Sequence, residues 1–310
     1  MLPRWFIAAL ATTLAATILA ACGEGDGGSG GGTGGPSVIA TTTQVGDLAR
    51  AVAGERASVT RILKPNSDPH EYEPRPSDVE AVTDAAVVLR SGGDLDEWLG
   101  GVLENAGNDT QVVTLIDAMR TRRLPGEIDP HWWQNPRNGA IAVEKIRDAL
   151  IAEDAGGRAV YTANASAYLK RLRALDRAIE ACIDAVPERD RKLVTDHDAL
   201  GYYADRYGID VVGTVIPALS TQAQASAGEV ARLARTVRRE KVKAVFAESS
   251  VNRKLAEAIA RDSGATVGPD LYADTLGPMG SAGATYLGSL KANTQALVAG
   301  FTGGEKGCRL

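Results

Sequence analysis

The chain has 310 residues and a formal net charge of −5 at pH 7, and its Lys and Arg residues are scattered, so no basic stripe suited to nucleic acid forms. Its three cysteines include no Cys-x-x-Cys pair, which excludes a thiolate zinc cluster. It also holds only three histidines, so the place of each one is informative.

Residues 1–21 carry Arg4 and then an apolar run from Trp5 that ends in small residues, the layout of an export signal. The run is short for a membrane span of about 20 residues, although a retained anchor with an incidental cysteine is the alternative. Leu19-Ala20-Ala21-Cys22 resembles a lipobox, in which cleavage precedes the cysteine and Cys22 becomes lipidated. Residues 22–36 are rich in glycine, with Ser, Thr, Glu and Asp between, and cannot bury enough apolar surface to fold, so they are expected to act as a flexible tether. The expected place is therefore extracytoplasmic, with the domain lipid-anchored to the membrane through Cys22.

From 37 onward, short β-branched runs alternate with helical patterns. Strands are expected at Val38–Thr42, Ala57–Leu63, Ala86–Leu89 and Val112–Ile116, and a second set at Lys192–Thr195, Asp210–Val215, Ala244–Ala247 and Ala265–Val267. This alternation predicts an α/β fold with parallel strands and crossover helices. Ser77-Asp78-Val79-Glu80 has the form of a capping box and predicts a helix start. Between the two sets, Arg158 to Val186 contains no glycine or proline, and Tyr168, Leu172, Leu175, Ile179, Cys182 and Val186 step by four and three along one helical face. Such a helix, about 40 Å long, can brace two lobes along one side as a rigid connection. The expected organisation is an N-terminal βα lobe over 37–156, a linking helix over 157–187 and a C-terminal βα lobe over 188–310.

Two of the three histidines share the tripeptide Asp-Pro-His, at Asp68-Pro69-His70 and Asp129-Pro130-His131. The third, His197, follows the strand ending at Thr195. In open parallel sheets ligands bind beyond the carboxyl ends of the strands, so a cleft between the lobes is where the three could meet. Three imidazoles and one carboxylate complete a tetrahedral zinc sphere. Asp274 is the expected fourth ligand, with Asp270 as its rival, and either could instead cap a helix beginning after Ser281. Glu71, Asp196 and Glu248 are candidates to orient the imidazoles. Trp132, Trp133, Tyr202 and Tyr203 are expected to pack around the cleft and keep it dry.

The motifs Asp68-Pro69-His70-Glu71-Tyr72-Glu73-Pro74, Asp129-Pro130-His131-Trp132-Trp133-Gln134-Asn135-Pro136, Thr195-Asp196-His197-Asp198-Ala199-Leu200-Gly201-Tyr202-Tyr203 and Leu271-Tyr272-Ala273-Asp274-Thr275-Leu276 resemble, in order, those of the zinc and manganese solute-binding lipoproteins of ABC importers. The resemblance runs from about Val38 to Phe301. It implies a fold of two βα lobes joined by one long helix and a metal site in the cleft, with His70, His131, His197 and Asp274 as ligands. It also implies capture of a divalent metal outside the membrane and delivery to a partner permease. Manganese-type members place a carboxylate where His197 stands, so the resemblance favours Zn²⁺ over Mn²⁺ as the bound cargo. Many zinc-type members carry a histidine-rich loop before the second Asp-Pro-His. Here Met119–Ile128 has no histidine, and a single metal per monomer is expected.

The rival from another class is a zinc hydrolase, which would need an open coordination position and Glu71 or Glu248 as general base. A surface adhesin is a third reading, with nothing beyond lipidation to argue for it. Binding needs neutral imidazoles, so affinity is expected to fall toward and below pH 6.5. Cys182 and Cys308 would lie in an oxidising compartment, where a bridge and a buried free thiol on the long helix are both open.

Overall fold

Val38, Ile39 and Ala40 are all buried, and the strand they form lies inside a sheet covered on both faces, which is why its side chains do not alternate apolar with polar. The computed structural model describes residues 34–106, 110–124 and 126–310. The expected export signal, Cys22 and most of the tether lie outside the described residues.

Strands β1 (Ser37–Ala40), β2 (Ser58–Arg61), β3 (Val87–Arg90) and β4 (Gln111–Thr114) form one parallel sheet in the order β2-β1-β3-β4. Helices α1 (Thr43–Ala53), α2 (Pro76–Thr83) and α3 (Leu99–Ala106) lie on the connections. α2 starts earlier than its sequence suggests: Pro76 takes the first helical position and the Asp78 carboxylate, rather than Glu80, accepts the Arg75 N–H at 2.7 Å. Proline's fixed φ and missing donor suit that first turn, so it overrides the Ser-x-x-Glu pattern.

A small antiparallel ribbon, β5 (Arg123–Leu124) and β6 (Glu127–Ile128), precedes the second Asp-Pro-His. Helices α4 (Pro136–Glu153) and α5 (Arg158–Asp184) follow. The second set of strands is β7 (Lys192–Thr195), β8 (Asp210–Thr214), β9 (Ala244–Val245) and β10 (Thr266–Val267). β7 and β8 pair in parallel, as do β9 and β10, and Phe246 N–H donates to Val194 C=O at 2.9 Å to join the two ribbons. Helices α6 (Gly201–Tyr207), α7 (Ala227–Arg239), α8 (Lys254–Ser263) and α9 (Tyr286–Thr302) complete this lobe. Among the described residues no helix is long and apolar enough to cross a membrane.

The 27 residues of α5 span about 40 Å. Tyr168, Leu172, Leu175 and Ile179 are buried as their spacing requires, joined by Ile183, while Cys182 is half-buried. The helix is fastened to both lobes. On the N-terminal side, Asn164 Nδ2 donates to Val52 C=O at 3.0 Å, and Asp154 just before α5 takes a two-pronged hydrogen bond from Arg56 at 2.7 and 2.9 Å. On the C-terminal side, Arg206 of α6 grips Asp176 at 2.9 and 3.0 Å. The planar guanidinium fork makes this a directional link as well as a charge pair.

Cys182 and Cys308 are bridged, with Cα atoms 5.8 Å apart across a sequence separation of 126. The bridge holds the C-terminal tail onto α5, helped by Lys306 Nζ donating to Ala185 C=O at 2.7 Å. Closing so long a loop restricts the unfolded chain, and such a bridge typically contributes about 2–4 kcal/mol. The double variant Cys182→Ser/Cys308→Ser is therefore expected to unfold at lower urea with unchanged fold, whereas an unchanged midpoint would show that the tail adds nothing to stability.

Candidate metal centre

The repeated tripeptide is a turn device. Asp68 Oδ1 accepts the His70 N–H at 2.9 Å, and Asp129 Oδ1 accepts the His131 N–H at 3.0 Å. In both, an Asx turn closes over a proline whose ring fixes φ, so each histidine is presented at a defined angle. His197 uses other means: its N–H is accepted by Glu248 Oε1 at 3.1 Å, and its carbonyl accepts from Thr195 Oγ1 at 2.8 Å. Asp274 follows a segment joined to the C-terminal lobe by a parallel bridge between Glu248 and Leu271. The carbonyl of Ala273, immediately before it, accepts from Trp133 Nε1 and Gln134 Nε2, both at 2.8 Å.

These loops bring His70, His131, His197 and Asp274 together, with one donor atom from each lying within 4.8 Å of the others. The Nε2 atoms of His197, His131 and His70 stand 3.2, 3.3 and 3.6 Å from the Asp274 carboxylate. Among the described residues, none of those three nitrogens, nor either oxygen of Asp274, has a hydrogen-bond partner. Buried polar atoms are nearly always satisfied, so five unsatisfied ones facing a common point form a donor set suited to a cation. Asp270 is not part of it: its carboxylate is 43% exposed and faces Arg253 at 3.4 Å. Neither aspartate caps α9, whose cap is Thr285.

Outer groups fix two of the imidazoles. His131 Nδ1 lies 2.8 Å from Asp129 Oδ1, and Arg122 donates to the other Asp129 oxygen at 2.9 Å. His197 Nδ1 lies 2.9 Å from Glu248 Oε1. A carboxylate at Nδ1 keeps the proton there and leaves Nε2 as the donor to a metal. Of the expected orienting groups Glu248 touches an imidazole, whereas Asp196 acts one step back by accepting the Glu248 N–H at 2.8 Å, and Glu71 is exposed. Sequence reasoning missed Asp129. Its signal lay in the motif itself, because a carboxylate two residues before a histidine can reach both its N–H and its ring. With Glu248 held against His197 and Glu71 exposed, neither expected general base is placed for hydrolysis.

Trp132 and Trp133 are buried, and the Trp133 ring meets His131 edge-on at 5.4 Å between centroids. Tyr202 donates to Asp129 C=O at 3.1 Å. Tyr203 bonds Thr294 at 2.7 Å and has a packing role alone.

The charges in this cage are interdependent. Burial opposes protonation of His131, but the carboxylates of Asp129 and Asp274 prevail and raise its pKa to about 9. Burial also opposes protonation of His197, and Glu248 and Asp274 outweigh it, so its pKa lies well above the ordinary value. His70 goes the other way, down to about 4, because burial and the neighbouring imidazoles outweigh Asp274. Burial would raise Asp274, but His197 and His131 hold it well below the ordinary range. The imidazoles of His131 and His197 thus lie among carboxylates that favour their protonated form.

Residues 38–300 match the family described as the periplasmic component A of zinc-uptake complexes, ZnuA. The chain is similar to the manganese-binding lipoprotein MntA of Halalkalibacterium halodurans, 36% identical over 290 residues that cover 93% of this chain and 95% of the relative. It is 29% identical to the iron ABC transporter substrate-binding lipoprotein MtsA of Streptococcus pyogenes, over 85% of this chain and 88% of the relative. Among solved structures, the periplasmic zinc-binding protein TroA of Treponema pallidum superposes with a TM-score of 0.81 at 28% identity, covering 86% of this chain and 99% of that one.

A histidine whose folded pKa is raised stabilises the fold fully below its unfolded value, about 6.5, and that contribution is lost as pH rises through the folded value. For His131 the window runs from the ordinary 6.5 to about 9. Protein stripped with a chelator is expected to lose thermal stability across that window, and His131→Gln to flatten the loss. Equal slopes for the two proteins would show that this imidazole is not charged in the folded state.

Proposed function

The chain belongs to the ZnuA family of extracytoplasmic metal-binding components of ABC importers, and from that premise we propose that its cargo is Zn²⁺, held by Nε2 of His70, His131 and His197 and by the Asp274 carboxylate. It is a lipid-anchored transport component and not an enzyme. The observation that carries the zinc reading is the donor set, three imidazole nitrogens and one carboxylate converging within 4.8 Å. Four-coordinate, nitrogen-rich sites suit zinc, whereas manganese favours oxygen-rich, higher coordination. Manganese is the second reading, favoured by the 36% identity to a manganese-binding lipoprotein.

In this reading Cys22 carries the lipid and 22–36 is the tether. Lobes at 37–156 and 188–310 flank the linking segment 157–187, and a monomer with one ion hands its cargo to the cognate permease. The ion takes the place of the protons on His131 and His197, so loading releases protons at neutral pH. Affinity should then keep climbing with pH beyond the ordinary histidine value, because the carboxylates around His131 and His197 raise their pKa.

Competition alone does not discriminate the two metals, because most nitrogen and oxygen sites prefer zinc to manganese whatever their task. Cobalt(II) substitution does: intense visible bands of a four-coordinate ion are expected, and the weak bands of a six-coordinate ion would move the reading to manganese. Metal analysis of protein released from the membranes of its own cells should give zinc at one ion per chain. His197→Ala should weaken zinc binding by more than the roughly 10–100-fold typical of losing an outer-shell partner, with Glu248→Gln inside that range. Unchanged zinc affinity in His197→Ala would remove His197 from the site. With free zinc at a thousand times Kd, the fold should gain about 4 kcal/mol.

A further inference from the structure

Resting on the assignment of the four ligands above, we infer that the ion enters and leaves past His70, through one cavity where loops of both lobes meet. The cavity, about 420 Å³, is walled by Pro69 and His70, by Leu95 and Trp98, and by Ser220 of the C-terminal lobe. His70 is the one member of the quartet that lines it. The side chains of His131, His197 and Asp274 have no exposed surface, whereas that of His70 retains 7%. The cavity on the other flank of the same loop, lined by Asp68, Glu71 and Glu73, touches none of the four.

His70 is also the least constrained ligand. Carboxylates hold Nδ1 of His131 and His197, but among the described residues no carboxylate bonds Nδ1 of His70. Its loop is tied across the cleft by the Gln222 side chain donating to the His70 carbonyl.

The opposite wall is a tight, hydrogen-bonded turn. Gly92, Gly93 and Asp94 all have positive φ, at 85°, 69° and 64°, and a Cβ on Gly93 would stand 3.1 Å from Pro130 Cα. Buried Asp96 holds this turn by accepting the N–H groups of Ser91 and Gly92 at 2.7 and 3.0 Å. The way past His70 therefore runs between this turn and the His70 loop. The mouth carries the exposed carboxylates of Asp94, Glu97 and Glu127, none in an ion pair among the described residues. Carboxylates lining a cleft concentrate cations there and speed their capture.

Stopped-flow measurement of Zn²⁺ association, and of its release to an excess of chelator, tests the route. Ser220→Trp, which narrows the cavity at a residue outside the quartet, should slow both rate constants by the same factor and leave Kd unchanged. The exposed pair Glu97→Gln/Glu127→Gln should cut association about tenfold at low salt, with the difference vanishing at high salt and release unchanged. A folded Ser220→Trp protein with both rates intact would overturn the route. Should that variant not fold, the carboxamide pair decides, and association with unaltered rate and salt dependence would overturn it. Failure of the unmodified protein to bind Zn²⁺ would instead sink the ligand assignment.

Discussion

The structure depends on the charge of one buried carboxylate. Asp274 is 2% exposed and among the described residues has no hydrogen-bond donor satisfying either oxygen, a condition that costs several kcal/mol unless cations answer it. Three imidazoles are placed to do so, each from a different loop. That requirement explains why the Asp-Pro-His turns, the β7 terminus and the segment after β10 must all end at one point. It also explains the outer carboxylates. Asp129 and Glu248 hold the rings so that Nε2 faces inward, and Arg122 and the Glu248 N–H contact with Asp196 anchor those carboxylates in turn.

Much of this was legible because local rules acted alone. The β-branched runs became the parallel strands to within a residue or two, and the four-and-three spacing from Tyr168 to Ile179 became the buried face of α5. The histidines could be found by scarcity and by a repeated turn motif. Where two local rules competed, as with Pro76 against the Ser77 pattern, sequence alone chose wrongly. Sequence favours Asp274 over Asp270, but what positions it is visible only in three dimensions, where Trp133, 140 residues away, grips the carbonyl beside Asp274. The bridge between Cys182 and Cys308 likewise depends on where the tail lands. The titration of His131 and His197 is the least legible property, since it sums burial against carboxylates from distant loops.

The aromatic groups contribute by position. Trp133 joins His131 and the segment at Asp274 in one packed unit through its edge-on ring contact and its indole N–H, and the Tyr286 hydroxyl donates to the Trp133 carbonyl at 2.5 Å. This coupling sets His131 and Asp274 at once, so the cage is held more firmly on that side than around His70.

The anchoring of the segment around Asp274 has a mechanical consequence. Leu271 is tied to Glu248, but Ala273 is held by Trp133 and Gln134, and Leu276 N–H donates to Thr43 Oγ1 at 2.9 Å. Were the two sheets to separate, the acid would travel with His70 and His131, and His197 would withdraw by itself. Such a separation would leave His70, His131 and Asp274 as a tripod, whereas displacing the His70 loop would leave His131, His197 and Asp274 as one, so either motion breaks the quartet by a single member.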